Sequence, residues 1–331
     1  MLVDSTIDIV ALGELLIDFT CLVTDDEGYP TMAAHPGGAP ANFLAAAAKW
    51  GASTAMIGKV GTDAFGKLLT DTLRRVGIGT EGLVAAEDGF TTLAFVTLDE
   101  RGEREFSFAR KPGADTMLRF EEVNLSLLDR TQVFHFGTLS LTHEPARSAT
   151  IRAVGYARER GKLITFDPNL RRPLWDDPEQ AKEWMLWGLK QADVVKLSEE
   201  EAEFLFGLEP QGAARHIVEH FGGKLVFVTC GADGCWFANP QTVGFVPALS
   251  GLSVVDTTGA GDIFGGSAVW KLLQSGKTPE ALTEDELREI TLFACAAAGL
   301  STEKAGGISS VPERADVADA VKRTDGAGNG H

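Results

Sequence analysis

The chain predicts a three-layer α/β fold: a doubly wound, mainly parallel sheet covered by helices on both faces, with a small β-sheet lid. Three observations predict it. From residue 132 onward, short apolar runs alternate with segments of helical periodicity, and serial βα units pair their strands in parallel beneath helices. Earlier, the polar turn Asp99-Glu100-Arg101-Gly102 joins alternating segments at 91–98 and 104–108, the pattern of an antiparallel hairpin. A hairpin inside a βα chain serves as a lid, an interface or plain scaffold. Finally, two glycine turns, Pro36–Asn42 and Asp256–Asp262, each lead into a helix.

Composition narrows the class. At 331 residues with 44% hydrophobic content, the chain can bury a large core. A net charge of −17 disfavours nucleic acid or acidic membrane as partner, because phosphate neutralisation needs clustered Lys and Arg. No run of about 18 apolar residues suggests a membrane span, and Asp4 and Asp8 near the start argue against a signal peptide. Cysteines 21, 230, 235 and 295 form no CxxC pair. The expected location is the cytoplasm.

In order, Ile7–Leu12 reads as a buried first strand, and Gly13-Glu14 leads to Leu15–Phe19. Asp18 there is either a hydroxyl acceptor opening into a cleft or a surface acid at a strand end. Gly37-Gly38 would let a ligand approach the backbone, and Asn42 sits on the first turn of an alanine-rich helix that also reads as tight packing. Residues 54–60 form a strand, and Thr62–Leu69 starts a helix. The hairpin alternation puts Phe106 and Phe108 on one face with Arg104 in phase. Strands follow at 133–136, 163–167, 194–197 and 225–229, and helices at 145–160 and 179–190. Ser198 with Glu201 has capping-box spacing. Val254-Val255 reads as the end of an extended segment, and Ile263, Val269, Leu272 and Leu273 as one face of the next helix. Residues 316–331 read as a terminal helix end and a disordered tail, with Thr324–Gly330 as the tail.

The glycine turn at 259–261 exposes successive N–H groups at a helix start, which suits a phosphate or a developing oxyanion. Asp262 beside it is either a favourable helix-start acid or a base that takes a proton from an incoming hydroxyl. In a parallel sheet, ligands bind beyond the carboxyl ends of the strands, so Asp18, Asp167, Asn169, Arg171, Lys196, Glu201, Thr229 and Asp262 converge on one rim. Competing motifs are missing. No complete GxxxxGK[ST] occurs, Phe264 breaks a GxGxxG, and neither HExxH nor GxSxG is present.

With those residues in view, the chain resembles the PfkB, or ribokinase-like, family of sugar kinases across about residues 7–315. Gly37–Asn42 with Gly58–Gly66 looks like the family's first signature, and Asp256–Asp262 like its second. Within the family, four stretches look most like the fructokinases: Phe106–Asp115, His135–Ser140, Phe166–Arg171 and Lys196–Glu201. Ser198 stands where the family more often has Asn. The resemblance implies one ribokinase-like kinase domain over 1–315, with the lid built from about 14–36 and 91–115. It implies transfer of the ATP γ-phosphate to O6 of fructose. The alternatives are another sugar or nucleoside kinase of the fold, acting on ribose or 2-keto-3-deoxygluconate, or a catalytically silent binding regulator.

Carried over position by position, the resemblance makes Asp262 the base and the N–H groups at Gly259, Ala260, Gly261 and Asp262 the anion hole. Asp18, Gly37, Gly38 and Asn42 would hold sugar hydroxyls. Phe95, Phe106 and Phe108 would cover the sugar, with Arg104 and Arg171 near its polar edge or the transferred phosphate. Asn169, Lys196, Ser198, Thr229, Gly231 and Gly234 would line the nucleotide. Glu201, with Ser198, would order Mg²⁺ through water. A K⁺ site would draw on Asp256, Thr258 and Ser310 and on carbonyls near Ser301, Lys304 and Gly306. The implied partners are a sugar and ATP, with a homodimer through the lid.

Overall fold

The computed structural model describes residues 6–98 and 104–328, excepting the side chains of 98, 104–106 and 324–328. Its strands are β1 (Ile7–Leu12), β2 (Leu16–Thr24), β3 (Pro30–Gly37), β4 (Thr54–Gly61), β5 (Ile78–Ala86), β6 (Thr92–Leu98), β7 (Arg104–Ala109), β8 (Thr131–Gly137), β9 (Leu163–Asp167), β10 (Val194–Ser198), β11 (Leu225–Thr229), β12 (Gly234–Ala238) and β13 (Val243–Pro247). The helices are α1 (Ala39–Lys49), α2 (Ala64–Arg75), α3 (Leu125–Arg130), α4 (Ala146–Glu159), α5 (Pro178–Gln191), α6 (Glu199–Phe206), α7 (Pro210–Phe221), α8 (Ala260–Ser275), α9 (Glu284–Ser301) and α10 (Arg314–Gly328).

Nine strands form the body sheet in the order β13-β12-β11-β10-β9-β8-β1-β4-β5, parallel except for the β11–β12 and β12–β13 pairs at one edge. The apolar strand IDIVAL shows why both faces are covered. Val10 and Leu12 point to a core shared with α3 to α7, while Ile9 and Ala11 point to a core shared with α1, α2, α8, α9 and α10. This is the three-layer, ribokinase-like α/β fold. The second sheet, β3-β2-β6-β7, has four strands and contains the hairpin read from the sequence, with Ala94 opposite Phe108. No helix among the described residues is long and apolar enough to cross a membrane.

Three local readings change. Val254 and Val255 end no strand. They are 62% and 66% exposed, because the segment is held instead by the N–H groups of Val255 and Asp256 donating to the Thr302 carbonyl at 2.8 and 3.0 Å. Helix α8 does not bury one face but nearly its whole first half, from Asp262 to Trp270. Gly266 makes this possible, since a Cβ there would run into the Phe43 carbonyl and Ala46 of α1. Last, the backbone of α10 continues through Thr324–Gly328, where a tail was expected. Buried Val317 and Ala320 anchor the helix, and later residues extend an existing turn rather than nucleate a new one.

Candidate active site

The turn into α8 is shaped by glycine. Gly259 caps the helix at φ +78°, and a Cβ there would also press on Gly307 at 2.8 Å and the Asn42 amide at 3.2 Å. First-turn N–H groups have no carbonyl within their own helix; Ala260 N donates to the Thr257 carbonyl at 3.3 Å, which leaves those of Gly261 and Asp262 to receive an anion. Asp262 lies one step further, 8% exposed, and two amides from two other elements hold it. Asn42 Nδ2, from α1, donates to Oδ2 at 2.9 Å, and Asn169 Nδ2, after β9, donates to Oδ1 at 3.3 Å. Burial, then the charge of Asp167, pushes the Asp262 carboxyl up to about 6 against the pull of Asn42, Lys196 and Arg171.

A second layer of bonds supports those amides. Asp167 ends β9. Its Oδ1 accepts from the Asn169 N–H at 3.0 Å, bending the chain so that Asn169 takes φ 45°, and its Oδ2 accepts from Lys196 Nζ at 3.0 Å. Burial opposes the Lys196 charge, yet Asp167, Glu201 and Asp262 hold this ammonium above its usual range. Its Nζ lies only 2.8 Å from where a Cβ on Gly261 would stand, so the cation sits over the helix mouth. Ser198 and Glu201 form the capping box read from the sequence. Glu201 Oε2 accepts from Ser198 N at 2.8 Å and Oε1 from Leu170 N at 2.7 Å, clamping the Asn169–Arg171 loop to α6.

At the other end of the cleft stands Asp18. Its Oδ2 packs where a Gly37 side chain would be, and it faces His35 and Ala94 across the lid strands. Burial raises its carboxyl to about 7, with Arg171 opposing and Asp262 and Asp256 adding to the rise. Gly38 sits at φ +112°, with a Cβ only 2.5 Å from the Glu14 carbonyl. The cleft between these ends encloses about 1240 Å³. Its lining includes Asp18, Gly38, Asn42, Phe108, Asn169, Arg171, Lys196, Ser198, Glu201, Thr258, Gly259, Gly261 and Asp262, so of the sequence-predicted rim Asp18, Asn169, Arg171, Lys196, Glu201 and Asp262 share one cleft, while Asp167 stands behind Lys196 and Thr229 lies outside.

Other predicted residues lie elsewhere. Phe95 is on the opposite face of the lid from Asp18, because strand register pairs it with Phe19, on which it stacks at 5.3 Å. It therefore shares the face of Phe19, which in turn meets Phe65 edge-on at 5.6 Å, rather than facing the cleft. The side chains of Arg104 and Phe106 lie outside the described residues. Thr229 pairs with Ser198 one strand further along the rim, outside the cleft lining. Gly231 is in open space at φ +51°, whereas Gly234 is fixed by its own backbone, since a Cβ would strike the Val246 carbonyl and Pro247. Of the residues suggested for K⁺, Asp256 accepts from Thr258 N and Gly306 N at 2.9 Å each. Ser301 and Ser310 are buried and donate to the carbonyls of Ala298 and Gly307, and Lys304 N bonds the Ser301 carbonyl. The loop before α8 and the loop after α9 thus bring Asp256, Thr258 and Gly306 together directly.

Among the residues that sequence reasoning missed are Glu14 and Gly307. Glu14 lines the cleft, and its only signal is an acid inside the apolar run Leu12–Ile17. Gly307 presses against the Asn42 amide so closely that any Cβ would overlap it. No short sequence pattern announces that contact.

A helix mouth open to anions, a buried acid steered by two amides and a four-stranded cover beside the cleft define a small-molecule kinase. Comparison with known proteins gives the family. The pfkB family carbohydrate kinase profile matches residues 6–314. Fructokinase-1 of Zea mays is 40% identical over 321 residues, covering 95% of this chain and 98% of that protein. The crystal structure of fructokinase with bound ATP from Xylella fastidiosa superposes with a TM-score of 0.87 at 29% identity, covering 96% of this chain and 99% of that one. A double mutant of fructokinase from Vibrio cholerae O395, in fructose, ADP and potassium ion bound form, gives 0.84 at 29% identity over 96% and 99%. The chain belongs to the pfkB family of carbohydrate kinases.

Proposed function

We propose that the protein is an ATP-dependent fructokinase that converts fructose and ATP to fructose 6-phosphate and ADP. The observation that carries the reading is Asp262, a buried carboxyl raised to about 6 and aimed by Asn42 and Asn169 into the cleft that also holds Asp18. Fructose lies at the Asp18–Gly38–Phe108 end, with its O6 towards Asp262. Triphosphate oxygens meet the N–H groups after Gly259 and the Lys196 ammonium. Asp262 accepts the O6 proton as the O6–Pγ bond forms and the bond from Pγ to the bridging oxygen breaks, releasing ADP. Positioning and charge stabilisation supply most of the acceleration in such transfers.

The likeness to a fructokinase crystallised with fructose, ADP and potassium ion supports the substrates and the monovalent ion. Among the described residues no group of three acidic, His or Cys side chains could cage a metal. Mg²⁺ keeps its waters and binds through phosphates with one or two carboxylates, and Glu201, in the cleft lining, would hold it through water. When bound, Mg²⁺ would supply charge neutralisation to the triphosphate. For K⁺, Asp256 and the carbonyls of the 301–310 loop are oxygen donors of suitable chemistry. The lid comprises about 14–36 and 91–115, over a body formed by the rest of 1–315. Exposed Leu22 and Val23 at the end of β2 and Tyr29 in the turn before β3 favour a second copy as partner, and the location is the cytoplasm. The deciding assay is coupled ADP release over a panel of sugars, with and without K⁺. Fructose should turn over best, and faster with K⁺. Preference for ribose or 2-keto-3-deoxygluconate, or no turnover of any sugar, refutes the reading.

A further inference from the structure

The chain passes between the body and the four-stranded sheet four times: at Gly13–Leu15, at Gly38, across 87–91 and across 110–113. All four passages meet in one buried polar cluster. Glu14 Oε1 accepts from Ala39 N at 2.9 Å, tying the first passage to the second. Asp115, in the turn Ala114–Met117, ties the third to the fourth. Its Oδ1 accepts from Thr92 Oγ1 at 2.5 Å, and its Oδ2 accepts from Arg110 Nε and Nη2 at 2.9 and 2.6 Å. The same two passages also touch through Ala114 N donating to the Phe90 carbonyl at 2.8 Å. Glu14 lies within electrostatic reach of both Arg110 and Asp115, so the two halves of the cluster are neighbours.

Arg110 then reaches out of the cluster. Nη1 donates to Thr142 Oγ1 at 2.8 Å and Nη2 to the Leu139 carbonyl at 2.9 Å. Leu139 lines the cleft, and Phe108, two residues before Arg110, lines it too. The Arg110 and Asp115 side chains are 2% and 1% exposed. Desolvating such a pair costs about as much as its attraction returns, so stability alone gives little reason for it. What it does provide is geometry: a planar guanidinium with its donors directed to three fixed acceptors.

We propose that Glu14, Arg110 and Asp115 are the pivot of the lid: positioning residues that hold all four passages and Leu139 as one block. They thereby fix Asp18, Gly38, Phe108 and Leu139 relative to one another and set affinity for the sugar, not for the nucleotide. No hydrogen bond joins the cluster to Lys196, Ser198 or Thr229 among the described residues. This inference rests on the assignment of the Asp18–Gly38–Phe108 end to fructose.

The test is steady-state kinetics for both substrates, with thermal unfolding, on R110K, D115N, T142V, E14A, E14Q and the reference D18A. R110K and D115N lose charge-assisted bonds and should raise the fructose KM about tenfold or more, with the ATP KM within about twofold. T142V removes one neutral acceptor and should raise it about threefold to fivefold while lowering Tm by only a few degrees, which keeps the test open if the charge variants do not fold. E14A should raise the fructose KM, and E14Q should restore it, because the amide oxygen still accepts the Ala39 N–H. Burial already pushes the Glu14 carboxyl up to about 7, so a neutral side chain is a close mimic. A fructose KM unchanged in both R110K and T142V overturns the proposal, as do fructose and ATP KM values rising together. If D18A raises the fructose KM and the pivot variants do not, only the pivot fails. If D18A leaves it unchanged, the sugar assignment itself is wrong.

Discussion

Asp262→Asn separates the catalytic role of the buried acid from its cost to the fold. The wild-type carboxyl titrates at about 6, against 3.8 for a free Asp, a difference of about two pH units. At about 1.4 kcal/mol per unit, keeping it ionised in the fold costs about 3 kcal/mol once the pH exceeds 6. The sign follows from proton counting. Between pH 4 and 6 the folded state holds a proton that the unfolded chain has lost, so wild-type stability falls as pH rises through that window. Asparagine abolishes this cost. It also has one acceptor where the carboxylate has two, so the amide of either Asn42 or Asn169 loses its partner, at about 1–2 kcal/mol. The variant should therefore be about 1–2 kcal/mol more stable than wild type at pH 8. At about 2.1 cal/mol/K per residue over 331 residues, that raises Tm by about 1–3 °C. Below pH 4 the advantage should vanish or reverse. Turnover at pH 8 should fall about 10²–10⁴-fold, with ATP affinity retained. Calorimetry at pH 4 and pH 8, with coupled ADP release, tests both halves. Turnover within tenfold of wild type removes Asp262 as the base. A variant no more stable than wild type at pH 8 refutes the buried-charge argument.

Other consequences follow from the same geometry. The acid limb of kcat/KM for fructose should lie between pH 6 and 7, where the carboxyls of Asp262 and Asp18 titrate as an interacting pair at about 6 and about 7. Asn42→Ala removes a donor that favours the charged form, so its limb should move to higher pH, and an unmoved limb breaks the link between Asn42 and the base. Gly307→Ala places a methyl group on the Asn42 amide, swings it from Asp262, and should lower kcat at least about tenfold while leaving the ATP KM near normal. Equal kcat in wild type and variant would show that Asn42 has room to adjust. Lys196→Met leaves buried Asp167 without its cation and should lower Tm and weaken ATP binding together; ATP affinity within twofold of wild type removes Lys196 from the triphosphate site.

The body was legible in the sequence because its strands are buried on both faces and must be apolar throughout, as Ile7–Leu12 and Leu225–Thr229 are. The antiparallel strands β12 and β13, at one end of the body sheet, were not anticipated. They are five residues long, mix glycine with aromatics, and show too little period to separate strand from turn. The glycine turn and Asp262 were readable because φ above zero and a helix-start acid leave local marks. Phe95 was misjudged for the opposite reason: its face depends on the register of β6 against β2, a relation between segments about 75 residues apart. One residue of register exchanges the two faces of a strand.

Long-range contact also hides what the site costs. Glu14, Asp18 and Asp262 come from three separate elements, and each is ordinary alone. Brought together and buried, all three are pushed up to about 6 or 7, so near neutrality the ligand-free fold carries carboxyls that resist ionising. A packed core gains nothing from such an arrangement, whereas a site that must remove a proton from an alcohol does, because a base is most effective with its pKa near the working pH. The strain of these acids, more than any single motif, argues that the cleft is built for chemistry rather than for binding alone.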